Sequence, residues 1–134
     1  MTNIQEILNT TDRFAARAGC RITEVDATHA VAEMTVSKEH LNAGNVCQGG
    51  ALFTLADLAM AALLNRQGNL TFGISSNIMF VSSAREGDRL RAEAVGIEDH
   101  RRIPTVEVCV KNQEGRLVCH LTGMGYRKDV PLAE

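Results

Sequence analysis

The chain has 134 residues, the length of one ordinary domain, and 45% of them are hydrophobic, a normal fraction for a protein with a core. Its net charge is −2, and acidic and basic residues are interspersed along the chain. There is thus no basic stripe of the kind that binds nucleic acid or an anionic membrane surface, which argues against both partners. The four cysteines and four histidines lack metal-site or disulfide spacing, so we expect reduced thiols and no metal. The opening MTNIQEILNT has no basic leader or apolar signal core, so we expect a cytoplasmic protein without a membrane span.

The first predicted element is a short amphipathic helix over about residues 2–18. Thr2 and Gln5 form a capping-box pattern, and apolar residues then recur at roughly helical spacing until Gly19. Residues 21–26 and 29–37 are rich in β-forming residues and predict one or two strands. A polar loop containing Asn and Gly follows over residues 39–48 and leads into the most apolar part of the chain.

Gly49 and Gly50 open a predicted helix over about residues 50–66. Between residues 51 and 64 only Thr54 and Asp57 are not hydrophobic, so protein is expected to cover most sides of this helix. A buried carboxylate without a partner is costly, so Asp57 must either reach solvent or serve a chemical purpose.

Four strands are predicted after the helix, over residues 72–81, 88–97, 105–111 and 117–126, and their turns suggest a meander. An antiparallel sheet needs one face covered by protein, and a long apolar helix needs its surface buried. Both needs are met by an α+β hot-dog fold, in which a curved antiparallel sheet wraps around a long central helix. We expect one such domain over residues 1–134.

The segment LNAGNVCQGGALFTLADLAMAALLNRQG resembles the PaaI-type acyl-CoA thioesterases of the hot-dog superfamily, which commonly read N-x(5)-H-G-G-x-x-F-x-L-A-D-x-A-x-A. The stretch NIMFVSSAREGDRL is similar to a strand of that family and its G-D-x-L turn. The resemblance covers most of the chain after about residue 35. It implies a hydrolase that converts an acyl- or aryl-CoA to the free acid and CoA. It also implies a homo-oligomer, a dimer of dimers with sites between subunits, in which Asp57 of one chain meets Gly50 and Asn42 of another.

Asp57 lies seven residues after Gly50, so both are expected on one helix face beside a cleft. The N–H groups of Gly50 and the next residue are expected to be free at the helix start, where they suit a thioester oxyanion. The resemblance assigns Asp57 as general base or nucleophile, Gly50 as the carbonyl-polarising amide and Asn42 as a residue that holds thioester or water. Gly49-Gly50 also fits a simple helix-entry turn, and Asp57 also fits a hydrogen-bonded carboxylate at an interface.

The chain departs from the family pattern at Gln48, which stands where PaaI-like enzymes usually have His. A neutral amide can orient a carbonyl but cannot titrate near neutral pH. Cys47, close to the helix start, offers a rival nucleophile, with His40 as its nearest base in sequence.

Substrate-binding candidates are Gly49 at the helix start, Ser75 and Asn77 on one strand face, and Arg102 in the Arg101-Arg102 pair. The two strand residues could reach a neighbouring subunit's site, and the arginines could bind a CoA phosphate. The alternative for Ser75 and Asn77 is a solvated position at a sheet edge, and the alternative for the two arginines is a solvated turn.

The predicted function is therefore an acyl-CoA thioesterase that needs no cofactor, since coenzyme A is part of its substrate. A non-catalytic acyl-CoA sensor is the first alternative, motivated by Gln48. A hot-dog hydratase or dehydratase is the second, although its chemistry usually needs a His beside the acid. Acyl preference, and CoA against acyl-carrier protein, stay open.

Overall fold

The computed structural model describes residues 3–133. Its helices are α1 (Ile4–Thr11), α2 (Arg13–Arg17) and α3 (Gly49–Leu64), with a 3-10 turn at Lys38–His40. The strands are β1 (Arg21–Val25), β2 (His29–Thr35), β3 (Asn69–Phe80), β4 (Arg89–Glu98), β5 (Thr105–Lys111) and β6 (Leu117–Pro131). Among the residues described, no helix is long and apolar enough to cross a membrane.

The sheet has six antiparallel strands in the order β1-β2-β4-β5-β6-β3 and curls around α3, as the hot-dog prediction requires. The predicted meander is correct for β4, β5 and β6 but wrong for β3. That strand follows α3, which carries the chain across the sheet from β2 to the far edge, and β3 pairs there with β6. The free side of β2 is taken by β4.

The predicted N-terminal helix is two helices, because Asp12 interrupts it. The backbone of Asp12 is not helical, with φ −81° and ψ 85°, and its side chain caps α2 by accepting the N–H of Ala15. The capping pattern at Thr2 lies outside the described residues, and Asn3 caps α1 by accepting the N–H of Glu6.

Helix α3 is buried on most sides, as its sequence predicts. Together with inward-facing strand residues, nine buried residues of α3 form the core of the described part of the chain. The nine are Leu52, Leu55, Ala56, Leu58, Ala59, Met60, Ala62, Leu63 and Leu64. The helix begins one residue earlier than expected, at Gly49, and ends two residues earlier, at Leu64. Asn65 closes it by donating its backbone N–H to Ala61 O.

Glycines let the sheet come close to α3 along β3 and β6. A Cβ added at Gly73 would lie 2.8 Å from Met60 Cε, and one at Gly125 would lie 2.8 Å from Leu64 Cδ1. Any larger side chain at these positions would push the sheet and the helix apart. The depth at which α3 sits under the sheet edge is therefore set by these glycines.

The two sheet edges differ in a way that matters for assembly. Strand β1 has five residues, carries charged Arg21 and Glu24, and is interrupted by a bulge, all of which discourage edge pairing. Strand β3 has twelve residues, with neither a charge nor a proline, and exposes large apolar side chains. An edge of the second kind is one that folded proteins normally cover.

We predict that Gly125→Ala destabilises the fold, because its new Cβ would lie 3.2 Å from the backbone oxygen of Phe72 as well as against Leu64. The expected loss in free energy of unfolding is about 1–3 kcal/mol, the usual cost of overpacking. Gly96→Ala is the matched control, since a Cβ there has open space and normal backbone angles. Urea unfolding of both variants measures the difference, and equal midpoints would contradict the account of α3 packing.

Candidate active site

A cleft of about 420 Å³ opens between α2 and the outer face of α3. Its lining residues are Asp12, Phe14, Ala15, Gly50, Phe53, Thr54 and Asp57. Gly50 and Asp57 therefore lie in one cleft, as their spacing of seven residues predicts. The first three lining residues come from α2 and its N-cap Asp12, which the sequence did not place beside the start of α3.

Asp57 is exposed to this cleft although its helical neighbours Ala56 and Leu58 are buried. Its carboxylate has no hydrogen-bond partner within residues 3–133. One carboxylate oxygen lies 3.9 Å from where a Cβ of Gly73 would stand, so Asp57 sits beside edge strand β3. The cleft thus explains how an apolar helix tolerates a carboxylate.

The pKa of the Asp57 carboxyl is raised above its usual value. Desolvation by the surrounding protein is the larger cause, and the nearby negative charge of Asp12 adds to it. Solvent reaches the group from the cleft, while protein encloses it elsewhere. A carboxylate in this state is a stronger base than an ordinary surface aspartate.

The Gly50 N–H is not free, which corrects the expectation from sequence. It donates to Oε1 of Gln48 at 2.6 Å, so Gln48 acts as the N-cap of α3. The N–H of Ala51 donates to the backbone oxygen of Gln48 at 3.0 Å. The side-chain oxygen of Gln48 thus occupies the position at which a thioester oxygen would accept from Gly50.

Gly49 has a packing role that the sequence did not reveal. A Cβ at this position would lie 2.9 Å from Cζ of Phe80, so the end of β3 lies directly against the start of α3. Phe80 remains half exposed beside the helix start. A glycine is required here for close contact, whatever else its backbone does.

Asn42 forms the turn that leads to the helix. Its side-chain oxygen accepts the N–H of Gly44 at 2.8 Å and that of Val46 at 3.3 Å, and its backbone N–H donates to Val46 O. It does not line the cleft that contains Asp57 and Gly50. Within one chain, therefore, the structure does not bring Asn42 to the other candidates.

Ser75 and Asn77 lie together on the outer face of the sheet, away from α3. Ser76 between them faces inward, with its hydroxyl 4.0 Å from Met60 Sδ. A shallow hollow on the outer face is lined by both residues and by Thr122 of β6.

Arg102 is bound to β6. Its guanidinium pairs with Asp129 at 3.1 Å, donates to Arg127 O and lies over the Tyr126 ring. Because these contacts use its charge and its donors, the side chain is held away from the α3 cleft in a single chain.

Cys47 is unsuited to nucleophilic attack. Its thiol is buried, and desolvation raises its pKa to about 11, so the reactive thiolate is scarce at neutral pH. His40 gives it no base, since Nε2 bonds the backbone oxygen of Ala18 at 2.6 Å and Nδ1 accepts the N–H of Ser37 at 2.9 Å. The geometry favours Asp57 over Cys47.

A larger hollow of about 560 Å³ lies at the other end of α3. Arg66 lines it, but its guanidinium bonds Ala27 O and Leu63 O and pairs with Asp99. No cysteine, serine or histidine lines this hollow in the part of the chain that is described. Within residues 3–133, moreover, no group of three or more His, Cys, Asp or Glu side chains is arranged to hold a metal ion.

The thioesterase superfamily model matches residues 44–119, which include the cleft residues of α3 and strands β3 to β5. The chain belongs to the thioesterase superfamily. That membership confirms the predicted thioester hydrolase and, together with the sheet around α3, the predicted hot-dog fold.

Individual relatives support the same assignment. The acyl-coenzyme A thioesterase PaaI of Escherichia coli is 32% identical over 87% of this chain and 83% of its own length. The structure of the E. coli PaaI protein from the phenylacetic acid degradation operon matches with a TM-score of 0.90, at 29% identity, over 94% of this chain and 91% of that one. The structure of a variant of the PaaI protein of Thermus thermophilus matches with a TM-score of 0.83, at 30% identity, over 87% of this chain and 100% of that one. The resemblance to PaaI-type proteins is thereby confirmed.

Sequence reasoning missed the contributions of Asp12, Phe14 and Phe80 to the surroundings of the site. An Asp inside a helical pattern is a signal for a helix start, and Asp12 would have revealed the break before α2. For Phe80 no sequence signal existed, because its contact with Gly49 depends on the three-dimensional path of β3.

We predict that Asp57→Asn makes the fold more resistant to urea at about pH 8, because the ionised carboxylate is poorly solvated. The folded chain holds the Asp57 proton up to a higher pH than the unfolded chain does. The penalty is therefore present at neutral and higher pH, and disappears as the pH falls through the folded pKa towards about pH 4. Unfolding midpoints of wild type and variant should converge at low pH. A variant less stable at pH 8 would contradict the raised pKa.

Proposed function

We propose that this protein is an acyl-CoA thioesterase that hydrolyses an acyl- or aryl-CoA to the free acid and CoA. The observation that carries the proposal is the unpaired carboxylate of Asp57 in the cleft that Gly50 also lines. The name of the E. coli relative, an acyl-coenzyme A thioesterase, supports the CoA ester as the substrate class.

Asp57 supplies the reactive group by one of two routes. As a general base it takes a proton from water, the resulting hydroxide attacks the thioester carbon, the C–S bond breaks, and the thiolate of CoA takes up a proton. As a nucleophile it attacks that carbon itself, expels the thiolate and forms an anhydride, which water then hydrolyses. Both routes use the ionised carboxylate, and neither needs a cofactor besides the CoA in the substrate.

Gly50 polarises the thioester carbonyl in this proposal, and Gln48 has to give way to it. The thioester oxygen replaces Oε1 of Gln48 on the Gly50 N–H, so a hydrogen bond is exchanged and none is lost. The displaced side chain can then donate from its NH2 group to the same carbonyl. Gln48 can therefore still orient the thioester carbonyl, but unlike a His it cannot gain or lose a proton near neutral pH.

A second copy of the chain completes the site. Strand β3 is a long uncharged edge, and Asp57 lies beside it, so a copy paired to β3 would stand next to the carboxylate. Asn42 of one subunit is proposed to approach Asp57 of another. Ser75, Asn77 and Arg102 stay predictions for substrate binding across subunits. The dimer of dimers and the cytoplasmic location stay predictions as well.

A non-catalytic acyl-CoA sensor is the second candidate, and one observation favours it. The Gly50 N–H is occupied by Gln48, so a ligand must displace the cap before its carbonyl is polarised. A sensor would bind acyl-CoA and leave the thioester intact, whereas an enzyme would release the thiol.

We predict that Asp57→Asn lowers the rate of thiol release from acyl-CoA by about a hundredfold or more, the usual effect of losing an essential base. Wild type and variant are compared on aryl and aliphatic acyl-CoAs, with circular dichroism to verify folding. Glu86→Gln, in the turn before β4, is the control for loss of one exposed negative charge. Equal rates in Asp57→Asn and wild type would refute the role of Asp57. Acyl-CoA binding without thiol release by the wild type would favour the sensor.

We predict that Ile74→Lys dissociates the oligomer and lowers turnover, because it places a charge on the exposed apolar edge of β3. Ile103→Lys is the matched control, since Ile103 is also exposed but lies in the loop before β5. Light scattering after size exclusion gives the mass of each variant, and thiol release gives its activity. A wild type that is fully active as a monomer would contradict a site completed by a second copy.

A further inference from the structure

Helix α2 forms a fixed wall of the cleft opposite α3. Ala15 anchors it in the core with 3% of its surface exposed. The carbonyl of Ala18 at its end is held by Nε2 of His40 at 2.6 Å. A wall secured at its middle and its end can shape whatever occupies the cleft.

This wall presents an aromatic surface to the cleft. Phe14 is 75% exposed, the largest fraction among the exposed large apolar side chains of the described residues, and it lines the cleft together with Phe53 of α3. The two rings are well placed to cover an apolar group that enters between the helices. An apolar group that packs against Phe14 would remove its exposed apolar surface from water, which favours binding.

The same wall brings a second carboxylate into the cleft. Asp12 is partly buried, caps α2 through Oδ1, and faces the space that Asp57 also lines. Within the described chain neither carboxylate forms an ion pair. Arg13 and Arg17 of α2 do not line the cleft. A group entering between α2 and α3 therefore meets two negative charges and an aromatic surface.

We propose that α2 selects the acyl group: Phe14 packs against neutral apolar acyl chains, and Asp12 rejects acyl groups that carry their own carboxylate. The inference rests on the proposed function, because it takes the cleft as the place where the acyl group lies. Like charges brought together in a poorly solvated space repel, and such repulsion gives specificity without a new attractive contact. Asp12 and Phe14 are specificity-determining residues in this account, and Asp57 remains the catalytic residue.

The test compares hexanoyl-CoA with adipoyl-CoA, which has the same chain length and a terminal carboxylate. Wild type is expected to have a kcat/KM at least about tenfold higher for hexanoyl-CoA, as expected for one unfavourable charge contact at this depth. Asp12→Asn is expected to narrow that ratio by raising the value for adipoyl-CoA. Asn retains the capping oxygen, so α2 should stay folded.

Phe14→Ala and Glu86→Gln complete the design. Phe14→Ala is expected to lower kcat/KM for hexanoyl-CoA more than for adipoyl-CoA, since it removes apolar contact only. Glu86→Gln makes the same charge change outside the cleft and should leave the ratio as in wild type. An Asp12→Asn ratio equal to that of wild type would overturn the inference, whatever the absolute rates.

A binding experiment separates this inference from the proposed function. The affinities of wild type and Asp12→Asn for S-hexyl-CoA and S-(5-carboxypentyl)-CoA, which contain no thioester, are measured by calorimetry. The same preference for the neutral chain, reduced in Asp12→Asn, supports the inference even if no thioester is hydrolysed. Equal affinities of wild type for the two compounds would overturn it, even if the protein proves to be an active thioesterase.

Discussion

The close packing of α3 against the curled sheet is the constraint on which the rest of the molecule depends. Glycines in β3 and β6 leave room for Met60 and Leu64, so the helix lies directly under the sheet edge. An apolar helix at this depth is covered on most sides, and its few uncovered positions define where chemistry is possible. Asp57 occupies one of them, beside Gly73 of β3 and in the cleft next to α2. In the proposed function the carboxylate is a suitable base or nucleophile, because the same packing exposes it to the cleft and limits its solvation.

The start of α3 shows a competition between stability and function. A helix start needs an acceptor for its free N–H groups, and Gln48 provides one for Gly50. The proposed chemistry needs that same N–H for the thioester oxygen. Both needs are compatible if the substrate replaces the cap, because the number of hydrogen bonds is then unchanged. A glutamine suits such an exchange, since its neutral amide binds the helix less strongly than a carboxylate would.

The sequence predicted the helix α3, the strands and the placement of Gly50 and Asp57 beside one cleft well, because these depend on local periodicity. Residues 105–111 alternate so regularly that the predicted and observed bounds of β5 agree. The position of β3 at the far edge was beyond sequence reasoning, since it depends on the path of α3 across the sheet. The capping of Gly50 was also missed, although a polar Gln48 before the helix was a signal for it. To predict that α2 lines the cleft, one would have had to know that Asp12 ends α1 and caps the start of α2.

The central claim is that a thioester lies between Gly50 and Asp57, and a crystal structure of Asp57→Asn with bound acyl-CoA tests it most directly. The account predicts that the thioester oxygen accepts the Gly50 N–H, that the side chain of Gln48 is displaced, and that the acyl group lies between α2 and α3. The contradicting result is an acyl-CoA bound elsewhere, for example in the hollow beside Arg66, with Gln48 still capping Gly50.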